Sequence, residues 1–138
     1  MINPEKYVRA AYIAAIATQT AVPVWAKKVP KNTSPVPSKY ILITSQTKER
    51  TEVSKSCWEW LCSITVDIVF QGPAGYSNTE QIDDVEEAVL TAIEAGITVQ
   101  GFIVKSVDLV QTSDLDAETP TQSIERRIVI YQHWLCQA

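Results

Sequence analysis

The sequence predicts an α+β domain: a mostly antiparallel sheet of four to five strands with two helices packed on one face. Three observations carry this. The run from Cys57 to Phe70, CWEWLCSITVDIVF, alternates strictly, with Trp58, Trp60, Cys62, Ile64, Val66, Ile68 and Phe70 on one side. Glu59, Leu61, Ser63, Thr65, Asp67 and Val69 fall on the other side, which is the period of a half-buried strand. Two segments carry helical patterning instead, near the N-terminus and in the middle of the chain. The elements follow the order helix, short strand, strand, strand, helix, strand, strand, which pairs neighbouring strands through polar connectors.

The first helix is framed by Asn3 as cap, Pro4 at its first position and Glu5 in its first turn. Tyr7 to Ala17 continues it, with Ala10, Ala11, Ala14 and Ala15 letting it lie close on a sheet. From Thr18 to Ser38, Pro23, Pro30, Pro35 and Pro37 forbid a long helix or a central strand. Val22 to Lys28 suits a short edge strand. Lys39 to Thr47, KYILITSQT, reads as a strand, and TKERTEVSKS beyond it as an extended polar arm. The Cys57–Phe70 run is the central strand, ended by Gly72, Pro73 and Gly75. Its apolar side needs a helical cover, while the mixed side can meet water or another subunit.

Ser77 with Glu80 three residues on forms a capping-box pattern for the second helix. Ile82, Val85, Val89 and Ile93 make its apolar stripe, and Gly96 is its expected stop. Val99 to Val110 and Ile124 to Leu135 read as two closing strands joined by the acidic loop TSDLDAETPTQ. The whole of 1–138 is thus one domain, with polar arms near 45–56 and 111–123.

At 138 residues, 46% hydrophobic and 20% charged, the chain can bury a core without staples. Its net charge of −4 argues against nucleic-acid recognition by bulk electrostatics. No run approaches the ~20 apolar residues of a membrane span. Three cysteines make no disulfide framework and are expected as free thiols in a reducing compartment.

His133, the sole histidine, could be paired with Cys57 or Cys62 as a nucleophilic couple, but no Gly-rich elbow or oxyanion signature accompanies it. No CxxC or HxxxH spacing suggests zinc, and no phosphate-cradling glycine motif occurs, so no cofactor or metal is expected. Asp83, Asp84, Glu86 and Glu87 read as dipole-favoured, solvated carboxylates. Asp114, Asp116 and Glu118 alternate faintly like a calcium loop but lack its glycine and closing glutamate. Trp25, Trp58, Trp60 and Trp134 are not interleaved with basic residues, which favours core or interface over base stacking.

One asymmetry remains. Between Lys27 and Lys55 stand seven basic residues (Lys27, Lys28, Lys31, Lys39, Lys48, Arg50 and Lys55) against Glu49 and Glu52. From Tyr76 to Ala95 there are six acidic residues and no basic one. If these regions lie on opposite flanks, one copy's arm (Lys48, Arg50, Lys55) can meet the next copy's helix (Asp83, Asp84, Glu87). A head-to-tail contact of that kind closes into a ring when the rotation permits.

The order of elements, with strings such as KYILIT, ITVDIVFQG and the acidic NTEQIDDVEEAVLTAI, resembles the tail terminator and tail-completion (head–tail joining) proteins of long-tailed bacteriophages, typified by phage lambda's tail terminator. The likeness spans nearly the whole chain, in pattern rather than signature residues. The Pro-rich stretch from Val22 to Pro37 and the Trp-heavy central strand depart from it. The resemblance implies a non-enzymatic structural protein of the virion neck or tail, assembled in the host cytoplasm. It implies a homo-oligomeric ring, a hexamer, partnered by the tail tube and by head-completion or connector proteins. It carries no catalytic residues over. The rival readings are a small monomeric protein- or ligand-binding module and a Cys/His133 enzyme.

Overall fold

The computed structural model describes residues 2–53 and 58–137; Lys55 and Cys57 lie outside the described residues. Two helices, α1 (Pro4–Ala17) and α2 (Thr79–Glu94), accompany six strands: β1 (Val24–Ala26), β2 (Lys39–Val53), β3 (Trp58–Pro73), β4 (Ile103–Asp114), β5 (Ala117–Glu118) and β6 (Gln122–Gln137). The fold is α+β, as the sequence predicts. Strand order is β1-β2-β3-β6-β4, with β5 added beside β6. Every pairing is antiparallel except β1 with β2.

β3 occupies the middle of the sheet because it is apolar enough to be covered along its length. Trp60, Cys62, Ile64, Val66, Ile68 and Phe70 are buried on the helix side. Val8, Tyr12 and Ile16 of α1 and Ile82, Val89 and Ile93 of α2 complete the same core. Fully burying one such aliphatic side chain contributes about 2 kcal/mol. The short strand predicted within Val22–Lys28 is β1, and its three residues pair only with Ile41–Ile43 of β2.

Asn3 caps α1 as expected, its side chain accepting from the Glu5 amide at 3.2 Å. The capping box at α2 does not form. The helix starts at Thr79 after Asn78, whose side chain makes no cap bond, and the Asn78 amide instead donates to Glu125 of β6 at 2.6 Å. Gly96 follows α2 with φ +102°, the left-handed geometry that ends a helix most cheaply at glycine.

The polar arm after Thr47 is strand: β2 continues to Val53 and pairs with β3 as far as Trp58. A bulge between Ile43 and Ser45 reverses the alternation of β2. Ile41 and Ile43 share the core face before it, and Gln46, Lys48 and Arg50 take that face after it, opposite Ile64, Cys62 and Trp60. The acidic loop also shrinks, since β4 runs to Asp114 and β6 starts at Gln122. Free-thiol status holds for Cys62 and fails for Cys136, which is disulfide-bonded.

Candidate functional site

Of the two nucleophile–base pairs the sequence offers, that of Cys62 with His133 does come together, and that of Cys57 lies outside the described residues. Cys62 and His133 are cross-strand partners on β3 and β6, both on the helix side. Their setting is the reverse of an activated couple. His133 is wholly inaccessible, and its Nε2 shares a 2.5 Å hydrogen bond with the Tyr12 hydroxyl. Its buried Nδ1 has no hydrogen-bond partner among the described residues. Burial pushes the Cys62 thiol up to about 11 and the His133 imidazole down to about 4. A thiolate–imidazolium pair needs both shifts in the opposite sense. Both groups are neutral core residues here.

That burial has a consequence for stability. With His133 at about 4 when folded and 6.5 when exposed, the unfolded chain takes up the proton first. The contribution is therefore complete above about pH 6.5 and is lost as pH falls towards 4, by about 3 kcal/mol. Urea melts across that window should show a steeper stability loss for the parent than for His133→Gln. Equal slopes would place the imidazole in solvent.

The acidic helix divides into two sets. Arg127 on β6, largely buried, bonds Asp83 at 2.9 Å and also Glu86 and Asp114. Burial works against its charge, but Glu86, Asp114 and Asp83 outweigh that and hold its pKa above the ordinary arginine value. This hub ties α2 to β6 and β4. Asp83 and Glu86 are thus engaged within the fold, and so is Asp114 of the calcium-like loop. Glu118 of that loop accepts from the Gly75 amide at 2.9 Å. Among the described residues no group of three His, Cys, Asp or Glu side chains is placed to hold a metal. Glu80, Asp84 and Glu87 remain exposed along one stripe of α2, without an ion pair among the described residues.

The basic set is also divided. Lys48 bonds Asn3 Oδ1 at 3.0 Å and lies 3.8 Å from Glu5, so it closes over the start of α1. Arg50 lies over the Trp58 ring at 4.8 Å. Both side chains stay exposed at the β2 edge of the sheet. Lys27, Lys28 and Lys31, just past β1 at the same edge, are exposed and make no ion pair among the described residues. The two charge sets therefore occupy different flanks: the cations at the β1–β2 side, the free carboxylates on α2.

The helix-free face holds what the sequence left unassigned. Asp67, 1% exposed, is gripped by Arg126 through its Nε at 3.2 Å and through Nη2. Trp134 is 42% exposed, donates to Glu59 at 3.2 Å and lies 5.5 Å from the Lys105 ammonium. Trp60 is core, and Trp25 packs against Tyr40. Sequence reasoning missed Arg127 and Arg126 altogether. The signal present was a pair of adjacent arginines in the middle of an apolar strand, which demands anions on both faces of the sheet.

No protein-family model matches the chain, and no curated protein matches it. Among solved structures it is similar to a chain of the virion of a native gene transfer agent particle. The likeness has a TM-score of 0.71 at 10% identity and covers 99% of each chain. It is a likeness of fold.

Proposed function

We propose that this chain is a structural component of a phage-like virion, forming a ring at the neck or tail end that joins the tail tube to head-completion proteins. The observation that carries the reading is the end-to-end match to a virion chain, with neither chain left over. A likeness confined to one supersecondary unit would say little, since small α+β sheets recur in many roles. A subunit that works by position needs a rigid plate and two complementary flanks. Here the plate is the six-stranded sheet, and the flanks are the basic β2 side and the acidic α2 side.

The ring contact sets Lys48, Arg50 and Lys55 of one copy against Asp84 and Glu87 of the next. Asp83, already bound to Arg127, adds field rather than a direct partner. Exposed ion pairs of this kind contribute at most about 1 kcal/mol each, so they orient the copies more than they hold them.

Negative-stain micrographs of the purified protein should show closed rings. Disrupting its gene should leave heads and tails that do not join. A compact monomer at every concentration, together with intact joined particles from the disrupted strain, would overturn the reading.

A further inference from the structure

We infer that successive copies continue one β-sheet from subunit to subunit, the half of β2 left bare by β1 adding to the β4 edge of its neighbour. This rests on the ring reading and adds a main-chain contact to its ion pairs. Among the described residues the sheet has two long unpaired stretches. β1 pairs with Ile41–Ile43, so β2 from Thr44 onward has no strand on its outer side among the described residues. β4 ends the sheet on the other side. A long bare edge is an aggregation hazard that monomeric proteins cover or blunt.

Direction and height both suit a ring. β2 to β3, β3 to β6 and β6 to β4 are three antiparallel steps, so β2 and β4 of one copy run oppositely. Rotation about an axis along the strands preserves direction, which brings β2 of one copy antiparallel to β4 of the next. With the strands along that axis, a closed ring has no rise, so the meeting stretches must also lie level. Following the registers across the sheet, Gln46 is level with Ile64, Tyr131 and Leu109. Thr47 is level with Ser63, Gln132 and Asp108, and Arg50 with Trp60, Leu135 and Val104. The bare half of β2 therefore stands at the height of β4 from Val104 to Gln111.

The surface of that edge calls for a cover. Of the seven exposed large apolar residues among the described residues, Ile103, Leu109 and Val110 lie on β4 and Leu115 just beyond it. The β4 bulges fall between Val104 and Ser106 and between Leu109 and Gln111, leaving Ser106–Leu109 regular between them. Charge agrees as well: Lys48 and Arg50 occupy the helix-side face of β2, the side on which Glu94 of α2 rims the slot beside Leu109.

Two variants of the full chain test this. Leu109→Lys with Val110→Lys alters only exposed side chains, so far-UV circular dichroism and melting should match the parent. The concentration for half-assembly, read by light scattering, should rise about tenfold or more. Thr47→Cys with Asp108→Cys should give an oxidised ladder of multimers that neither single variant gives. Parent-like assembly of the lysine variant, or a double-cysteine chain that forms rings without cross-linking, would overturn the edge contact and leave the ring reading standing. A parent that never assembles would overturn both.

Discussion

Replacing Ile64 by aspartate is expected to leave the chain without a cooperative folded state at neutral pH. Ile64 is fully inaccessible, sits in the middle of β3, and is flanked by Gln46 on β2 and Tyr131 on β6. The change removes an aliphatic side chain from a packed core, which alone costs about 2–5 kcal/mol for a truncation of that size. It also places a carboxyl group where neither water nor a partner waits. An ionised carboxylate without compensation costs several kcal/mol more, and protonating it to escape is itself unfavourable at pH 7. The sum is on the order of the whole stability of a domain this size, about 5–15 kcal/mol. Ile64→Val is the control: it keeps the face and shape and should cost about 1 kcal/mol. Thermal melts followed by circular dichroism separate the outcomes. An aspartate variant that melts like the parent would mean that the helix-side face of β3 had been assigned to the wrong set of residues.

That face was legible because a two-residue period with β-branched and aromatic side chains leaves little choice. Trp60, Cys62, Ile64, Val66, Ile68 and Phe70 could not be solvated together, and all six are buried, as are Asp67 and Val69 on the other face. What local pattern could not give was anything settled by a distant residue. TKERTEV reads as an arm because it is polar, yet it is strand as far as Val53, since main-chain pairing with β3 does not depend on polar or apolar side chains. The bulge at Thr44 is invisible to alternation counting, and it decides which of Lys48 and Glu49 faces α1. Ser77 and Glu80 made a plausible box, but Glu125, 47 residues from Asn78, supplied the acceptor instead. Among the candidate interface residues, Asp84 and Glu87 stand where a solvated helix face would put them. Asp83 does not, because the cation that claims it lies on another element. Charge segregation along a sequence is thus a coarse guide. It found the two flanks and could not tell free charges from engaged ones.

The sharpest test of that distinction is Arg127→Met. Arg127 is the only cation bonded to Asp83, Glu86 and Asp114 among the described residues, and its side chain is 13% exposed. The three carboxylates are not equivalent. Glu86 is 15% exposed, whereas Asp83 and Asp114 are 56% and 63% exposed and can turn to water. Methionine fills the same space without charge, so the loss comes mainly from leaving Glu86 uncompensated, about 3 kcal/mol. A double-mutant cycle with Glu86→Gln should then recover much of it, because a neutral amide no longer needs the cation. The cycle with Asp83→Asn should give a coupling below about 1 kcal/mol, the ordinary worth of an exposed pair. Urea denaturation of the four chains in each cycle measures both. Equal couplings at positions 83 and 86 would mean that the guanidinium is held by general field rather than by the buried glutamate. A negligible effect of Arg127→Met alone would mean that α2 is fastened to the sheet by its apolar stripe of Ile82, Val89 and Ile93 without help from the charge hub.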